Sequence, residues 1–162
     1  GRVLSMSFRA WVAAQRHMGF EMDPRELSLE DKLLLKSITK WWKENREWMM
    51  SANVLRLPCI DNSIVAEIQI NSKDNHFVVF AGQNTASELS SSVSLVLAGL
   101  DSESMYNVSL INKNEIKSLG KSKEGLMTNN LRLSGQFLMT QGIQLPKIFP
   151  ANMMVIEGDK AA

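Results

Sequence analysis

The sequence predicts a mainly β protein, an antiparallel β-sandwich preceded by a single βα unit, and three observations predict it. Ile64-Val-Ala-Glu-Ile-Gln-Ile70 alternates cleanly, with Ile64, Ala66, Ile68 and Ile70 on one face against Val65, Glu67 and Gln69 on the other. Beyond Ser51, turn residues break the chain into about seven short strands, the punctuation of a sandwich. Before Ser51, the stretch from Phe8 to Pro24 and the long amphipathic segment after it read as one half-buried strand, one turn and one helix. That is the tail of an α/β unit whose earlier units are absent from this sequence.

The first element is the expected strand Phe8–Ala14, followed by a turn and then the helix. Ser28 caps that helix, and Glu30 and Asp31 stand in its first turn, where the helix dipole favours acids. Leu34, Ile38, Trp41, Asn45, Trp48 and Met49 recur at three- and four-residue spacing as a largely apolar stripe. Lys32, Lys36, Lys40, Lys43, Glu44 and Glu47 mostly occupy the other side. After Ser51 the expected strands are Val54–Leu57, Ile64–Ile70, His76–Ala81, Val93–Leu97, Met105–Ile111, Phe137–Thr140 and Met153–Glu157. Asp61-Asn62 marks a turn, Lys73-Asp74-Asn75 a hairpin, and Gly99 to Glu103 another turn. Lys113 to Asn130 is polar, carries Gly120 and Gly125, and reads as loop.

Composition narrows the function classes. In 162 residues, 44% apolar content suffices for a real core. A net charge of +1, from 18 basic and 17 acidic residues, gives no electrostatic argument for nucleic acid or an anionic membrane as partner. Cys59 is alone, so no internal disulfide and no thiol-rich metal site is possible. No apolar run approaches the ~20 residues of a membrane span, and the first residues do not read as a signal peptide. The cytoplasm is the favoured compartment.

Candidate chemistry is sparse. His17, Glu21 and Asp23 match no zinc or calcium spacing, and such residues commonly anchor strand-to-helix turns by hydrogen bonds. Glu21, Asp23, Asp61, Glu67, Asp74, Asp101 and Glu115 supply carboxylates, mostly at turns or on solvent faces, with nothing that converges them into an acid/base pair. There are two histidines, no Gly-x-Ser-x-Gly elbow and no glycine-rich phosphate loop. The tryptophan face could take a sugar or an apolar ligand, but a helical stripe is more often core. No catalytic residue, metal or cofactor is expected in this chain.

The run Phe8 to Leu27, above all His17-Met-Gly-Phe-Glu-Met-Asp-Pro-Arg-Glu-Leu27, resembles the last strand-loop-helix of the catalytic barrel in glycoside hydrolase family 36, the melibiase-like α-galactosidases. Its core is Gly19-Phe20-Glu21-Met22-Asp23, and the helix ends in a similar Lys43-Glu-Asn-Arg46 stretch. Leu97-Ala-Gly-Leu-Asp101, then Met105-Tyr-Asn-Val108, is similar to the family's later strand-turn-strand. Ser134-Gly135 with Leu138-Met139 and Gly142-Ile143 resembles its closing segment.

The resemblance implies the last βα unit of a (β/α)8 barrel over residues 1–51 and a C-terminal antiparallel β-sandwich over 52–162. It implies the C-terminal portion of a retaining α-galactosidase acting on terminal α-galactosides in galacto-oligosaccharides, with two carboxylates roughly 5 Å apart. The family's Lys-Trp-Asp type and Ser-Asp-Asp or Ser-Asp-Asn type motifs have no match here, so no catalytic residue carries over and the chain by itself is expected to be inactive. Loops at the C-terminal ends of barrel strands line active sites. His17, Met18 and Gly19 are therefore the expected substrate contacts, at the rim of the galactose pocket. The expected partners are the remainder of the barrel and a second copy of the chain, as a homo-oligomer. The alternative is an independent β-sandwich module that binds carbohydrate or another partner. Such a module should present aromatics on its sheet, whereas every tryptophan lies before Ser51.

Overall fold

The computed structural model describes residues 3–71, 73, 76–119 and 125–161. The chain divides into two compact units, Gly1–Ser51 and Ala52–Ala162. Among the described residues, no helix is long and apolar enough to cross a membrane.

The first unit is helical throughout its regular structure. Helix α1, Met6–Ala14, occupies the segment expected to be a strand. The expectation of a half-buried strand at Phe8–Ala14 is thus corrected, for a physical reason. A strand must find its hydrogen bonds on neighbours, whereas a helix satisfies them internally. The sequence supports the helix: Ser5 accepts from the Phe8 N–H at 3.2 Å, three alanines favour helix, and Ala10, Trp11 and Ala14 are buried at one- and three-residue steps along one side. A short 3₁₀ turn, Pro24–Glu26, follows an irregular stretch, and helix α2 runs Leu29–Met50.

Helix α2 starts where the capping residues place it. Ser28 Oγ accepts from the Asp31 N–H at 3.1 Å, and Glu30 and Asp31 sit in the first turn. Leu35, Ile38 and Met49 are its buried residues, with Trp41 and Trp48 half-buried. The two helices are joined by an edge-to-face contact between Trp11 and Trp41, ring centroids 5.1 Å apart. The Trp42 indole N–H also donates to the Arg16 carbonyl, just past the end of α1, at 2.8 Å.

The second unit contains strands β1 (Asn53–Leu57), β2 (Ile64–Asn71), β3 (His76–Gln83), β4 (Ser94–Leu95) and β5 (Met105–Leu110). Then come the short helix α3 (Gly125–Thr128), β6 (Leu131–Ser134), helix α4 (Gly135–Thr140), β7 (Ile143–Gln144) and β8 (Asn152–Lys160). Six strands form one antiparallel sheet in the order β1-β2-β3-β8-β5-β6, and β4 pairs with β7 in a second, small sheet. The last strand enters the centre, between β3 and β5, with Phe80 opposite Val155 and Val108 opposite Gly158.

The core lies between these two layers. Ile64, Ala66, Ile68 and Ile70, the face read from alternation, are all buried, together with Phe77, Val79, Tyr106, Val108, Met154 and Ile156 from the neighbouring strands. Leu95, Leu97, Leu138, Ile143, Leu145 and Ile148 close over them from the small sheet, helix α4 and the flanking loops. The architecture is a sandwich of unequal layers, as its sequence pattern required.

Several boundaries differ from the sequence reading. Phe137–Thr140 is not a strand but part of α4, because Ser134 caps it, accepting from the Phe137 N–H at 3.1 Å. Only Leu138 of that segment is deeply buried while Phe137 is 44% exposed, which is a single helical contact with the core and not a paired strand. The Val93–Leu97 strand shortens to Ser94–Leu95, and two further short strands, β6 and β7, join the pattern. The polar stretch 113–130 holds α3, whose Leu126 is buried. Gly120 lies outside the described residues, as do Asp74 and Asn75 of the hairpin between β2 and β3, whose last described pair is Asn71 with His76.

Candidate functional site

His17, Met18 and Gly19 lie together in the irregular stretch between α1 and the 3₁₀ turn. His17 and Gly19 are exposed and Met18 is half-buried. Gly19 is not a glycine of necessity. A Cβ built there meets nothing within 4 Å, and the described glycines with positive φ are Gly99 and Gly142.

The acids nearby are differently placed. Glu21 is exposed. Asp23 caps the 3₁₀ turn, accepting from the Arg25 N–H at 2.9 Å, and its two carboxylate oxygens meet the Arg25 guanidinium at 2.6–3.0 Å. The side-chain bonds of Arg25, with its backbone N–H second, hold the Asp23 carboxyl below the usual carboxylate range. Arg25 is raised in turn. This carboxylate serves the turn. Among the described residues, no group of three or more His, Cys, Asp or Glu side chains is gathered as a metal site.

A groove lies in the same unit. An open groove of about 630 Å³ runs between the stretch from Phe20 to Leu27 and one flank of α2. Phe20, Met22, Leu27 and Leu35 give it an apolar lining. Lys32, Lys36, Lys40 and Lys43 stand along it, all exposed, and Glu44 is the one acid among its lining residues. In the sequence these lysines read as the solvated side of a helix. The folding of residues 20–27 against that helix turns them into the edge of a groove. Their i, i+4, i+8, i+11 spacing was the available signal.

Polar clusters in the second unit are occupied with holding loops. Asp61, only 6% exposed, accepts from the Ser63 N–H at 2.9 Å and from the Ser63 hydroxyl. Burial alone would raise its pKa. Hydrogen bonds from Ser63 and Ser87 and the charge of Lys147 together outweigh that effect and lower it. The Gln83 amide donates to Ser63 Oγ and to the Thr85 carbonyl, and Lys147 Nζ donates to the carbonyls of Leu89 and Ser90. Asp101 accepts from the Glu103 N–H and the Ser104 hydroxyl, while its own N–H donates to the Tyr106 hydroxyl. The Leu97–Tyr106 motif is therefore a self-bonded turn, and each of these carboxylates is engaged by its own loop.

Comparison with known proteins covers nearly the whole chain. Residues 65–161 match the family model described as "Glycosyl hydrolase family 36 C-terminal domain". Over 163 aligned residues the chain is 24% identical to an α-galactosidase of Escherichia coli, covering 97% of this chain and 23% of that protein. A family 36 α-galactosidase of Geobacillus stearothermophilus, solved with 1-deoxygalactonojirimycin, superposes with a TM-score of 0.79 at 21% identity, over 99% of this chain and 20% of that one. The galactosidase domain of an α-galactosidase–sucrose kinase gives 0.80 at 22%, over 99% and 20%. An α-galactosidase of Lactobacillus brevis gives 0.78 at 14%, over 100% and 21%. The chain thus spans about a quarter or less of the length of the proteins it matches.

Proposed function

Because this chain belongs to the family of glycosyl hydrolase family 36 C-terminal domains, we propose that it is the non-catalytic C-terminal portion of an α-galactosidase that releases terminal α-galactose from galacto-oligosaccharides. The observation that carries this reading is the match of nearly the whole chain, helices and sandwich together, to enzymes several times longer, with residues 65–161 fitting the model of their C-terminal domain. A retaining mechanism needs a nucleophile and an acid/base carboxylate roughly 5 Å apart. Those two groups belong to the preceding part of the enzyme in this reading, since Asp23, Asp61 and Asp101 of this chain are each engaged by their own turns. Residues 1–51 are then the closing element of the catalytic barrel, with a helix at Phe8–Ala14, and residues 52–162 its C-terminal sandwich.

In this reading the remainder of the barrel is the chain's partner, and His17, Met18 and Gly19 form part of the rim of the galactose pocket. The openness around His17 and Gly19 supports that role, since no crowding within the chain requires a glycine there. Assembly into a homo-oligomer belongs to the same reading. It is supported by the exposure of Leu29 and Leu33, one turn apart on α2.

The test is turnover of p-nitrophenyl α-galactoside by the purified chain and by the product of its complete reading frame. The chain alone is expected to show none. The complete product is expected to hydrolyse the substrate, to lose activity when either of two upstream aspartates becomes asparagine, and to raise KM more than it lowers kcat on His17→Ala. Hydrolysis by the chain alone, abolished by changing one of its own acids, refutes the proposal. Light scattering on the complete product decides the oligomer.

A further inference from the structure

We propose that the groove between residues 20–27 and α2 is the seat of an acidic amphipathic helix, supplied by the part of the polypeptide outside this chain. This deepens the reading above by naming the chemistry of the segment that covers the first unit. The groove is apolar along its length, with Phe20, Met22, Leu27 and Leu35 in its lining. An open apolar groove of about 630 Å³ is a surface that calls for a partner.

Charge selects the partner. Lys32, Lys36, Lys40 and Lys43 follow one edge of the groove over ~17 Å, about three turns of helix. Among the described residues, Lys40 alone of the four has an acid within ion-pair distance, Glu44 at 3.8 Å, and that pair is exposed. Cations repeated at helical spacing match carboxylates repeated at helical spacing on a neighbouring helix, whose apolar stripe fills the groove between them. Two copies of this groove laid face to face would instead set lysine against lysine, which disfavours self-pairing here. A flat anionic bilayer cannot fill a concavity, and a single small anion neutralises only one or two of four spaced charges. The size of the missing portion fits the assignment, since the chain covers 20% of the solved relatives' length.

The probe is a synthetic 14-residue helical peptide with leucines at i, i+3 and i+4 flanked by glutamates, and a twin with lysine at each glutamate. Each is titrated into the full chain and followed by the fluorescence of the α2 tryptophans. The glutamate peptide should bind at least tenfold tighter than its twin and weaken with added salt. The double variant Lys36→Glu/Lys40→Glu, with unchanged circular dichroism, should lose that preference and favour the lysine twin. If that variant does not fold, Lys32→Gln/Lys43→Gln should weaken the glutamate peptide by several-fold. Equal binding of both peptides, no binding of either, or a preference for phosphatidylserine vesicles over the glutamate peptide overturns the proposal. Failure of the enzymatic reading is separate. Peptide selectivity without α-galactosidase activity in the complete product sinks that reading alone, whereas an active complete product with unselective peptides sinks only the groove.

Discussion

Gly158 shows how closely single residues fit in the sandwich. It sits on the central strand β8, opposite Phe77 of β3 and Val108 of β5. A Cβ placed there would lie 2.1 Å from the Phe77 ring, and that ring is fully buried and packs against Tyr106 with centroids 5.6 Å apart. Protein interiors are close-packed, so a buried ring gives way only at a cost. Gly158→Ala should therefore destabilise the chain by about 1–3 kcal/mol, the range for overpacking. Adding Phe77→Leu should return part of that loss, since two groups in contact do not act additively. Urea unfolding of the two single variants and the double variant measures it, and strict additivity would show that the ring is not the obstacle. Asn112 works at the same scale by bonding, donating to the Met153 carbonyl at 2.7 Å and accepting from the Val155 N–H at 3.0 Å.

Elements succeed or fail here on their end groups. Helix α2 has a capping serine, acids in its first turn and an apolar stripe, and it forms where those signals lie. The Ser28 hydroxyl accepts from the Asp31 N–H and donates to the Asp31 carboxylate at 2.9 Å, so one side chain serves two partners. Ser28→Ala should cost about 1 kcal/mol, the usual loss for an N-cap, and Ser28→Asn should restore most of it. An unchanged unfolding midpoint in the alanine variant would mean that α2 is held by its packing alone. Helix α4 uses the same device at Ser134, and there the cap overrides a segment that reads as strand by its apolar residues.

At the scale of the whole molecule, the division at Ser51 separates two kinds of stability. The second unit has a continuous core drawn from both of its sheets and their loops, whereas the first rests on two helices and their tryptophan contact. A chain of residues 52–162 should therefore stay soluble and unfold in one cooperative transition, because its strands bury one another's inner faces. Circular dichroism during thermal unfolding checks this. A broad, non-cooperative loss of signal would mean that the sandwich depends on the residues before it.

The sequence by itself determined the inner face of β2, the start of α2, the antiparallel character of the second unit and its family, because each is written in local period, capping chemistry or motif order. Only the tertiary structure decided that Phe8–Ala14 is helix, that β8 enters between β3 and β5, and that four lysines border a groove. The last two depend on which distant segment comes alongside. An Ala-rich run with a capping serine can close its own hydrogen bonds, and a strand with no partner in reach cannot. The sheet order places Phe77 of β3 against Gly158 of β8 and so makes a glycine indispensable. The groove exists because residues 20–27 fold against α2, a contact that no local periodicity encodes.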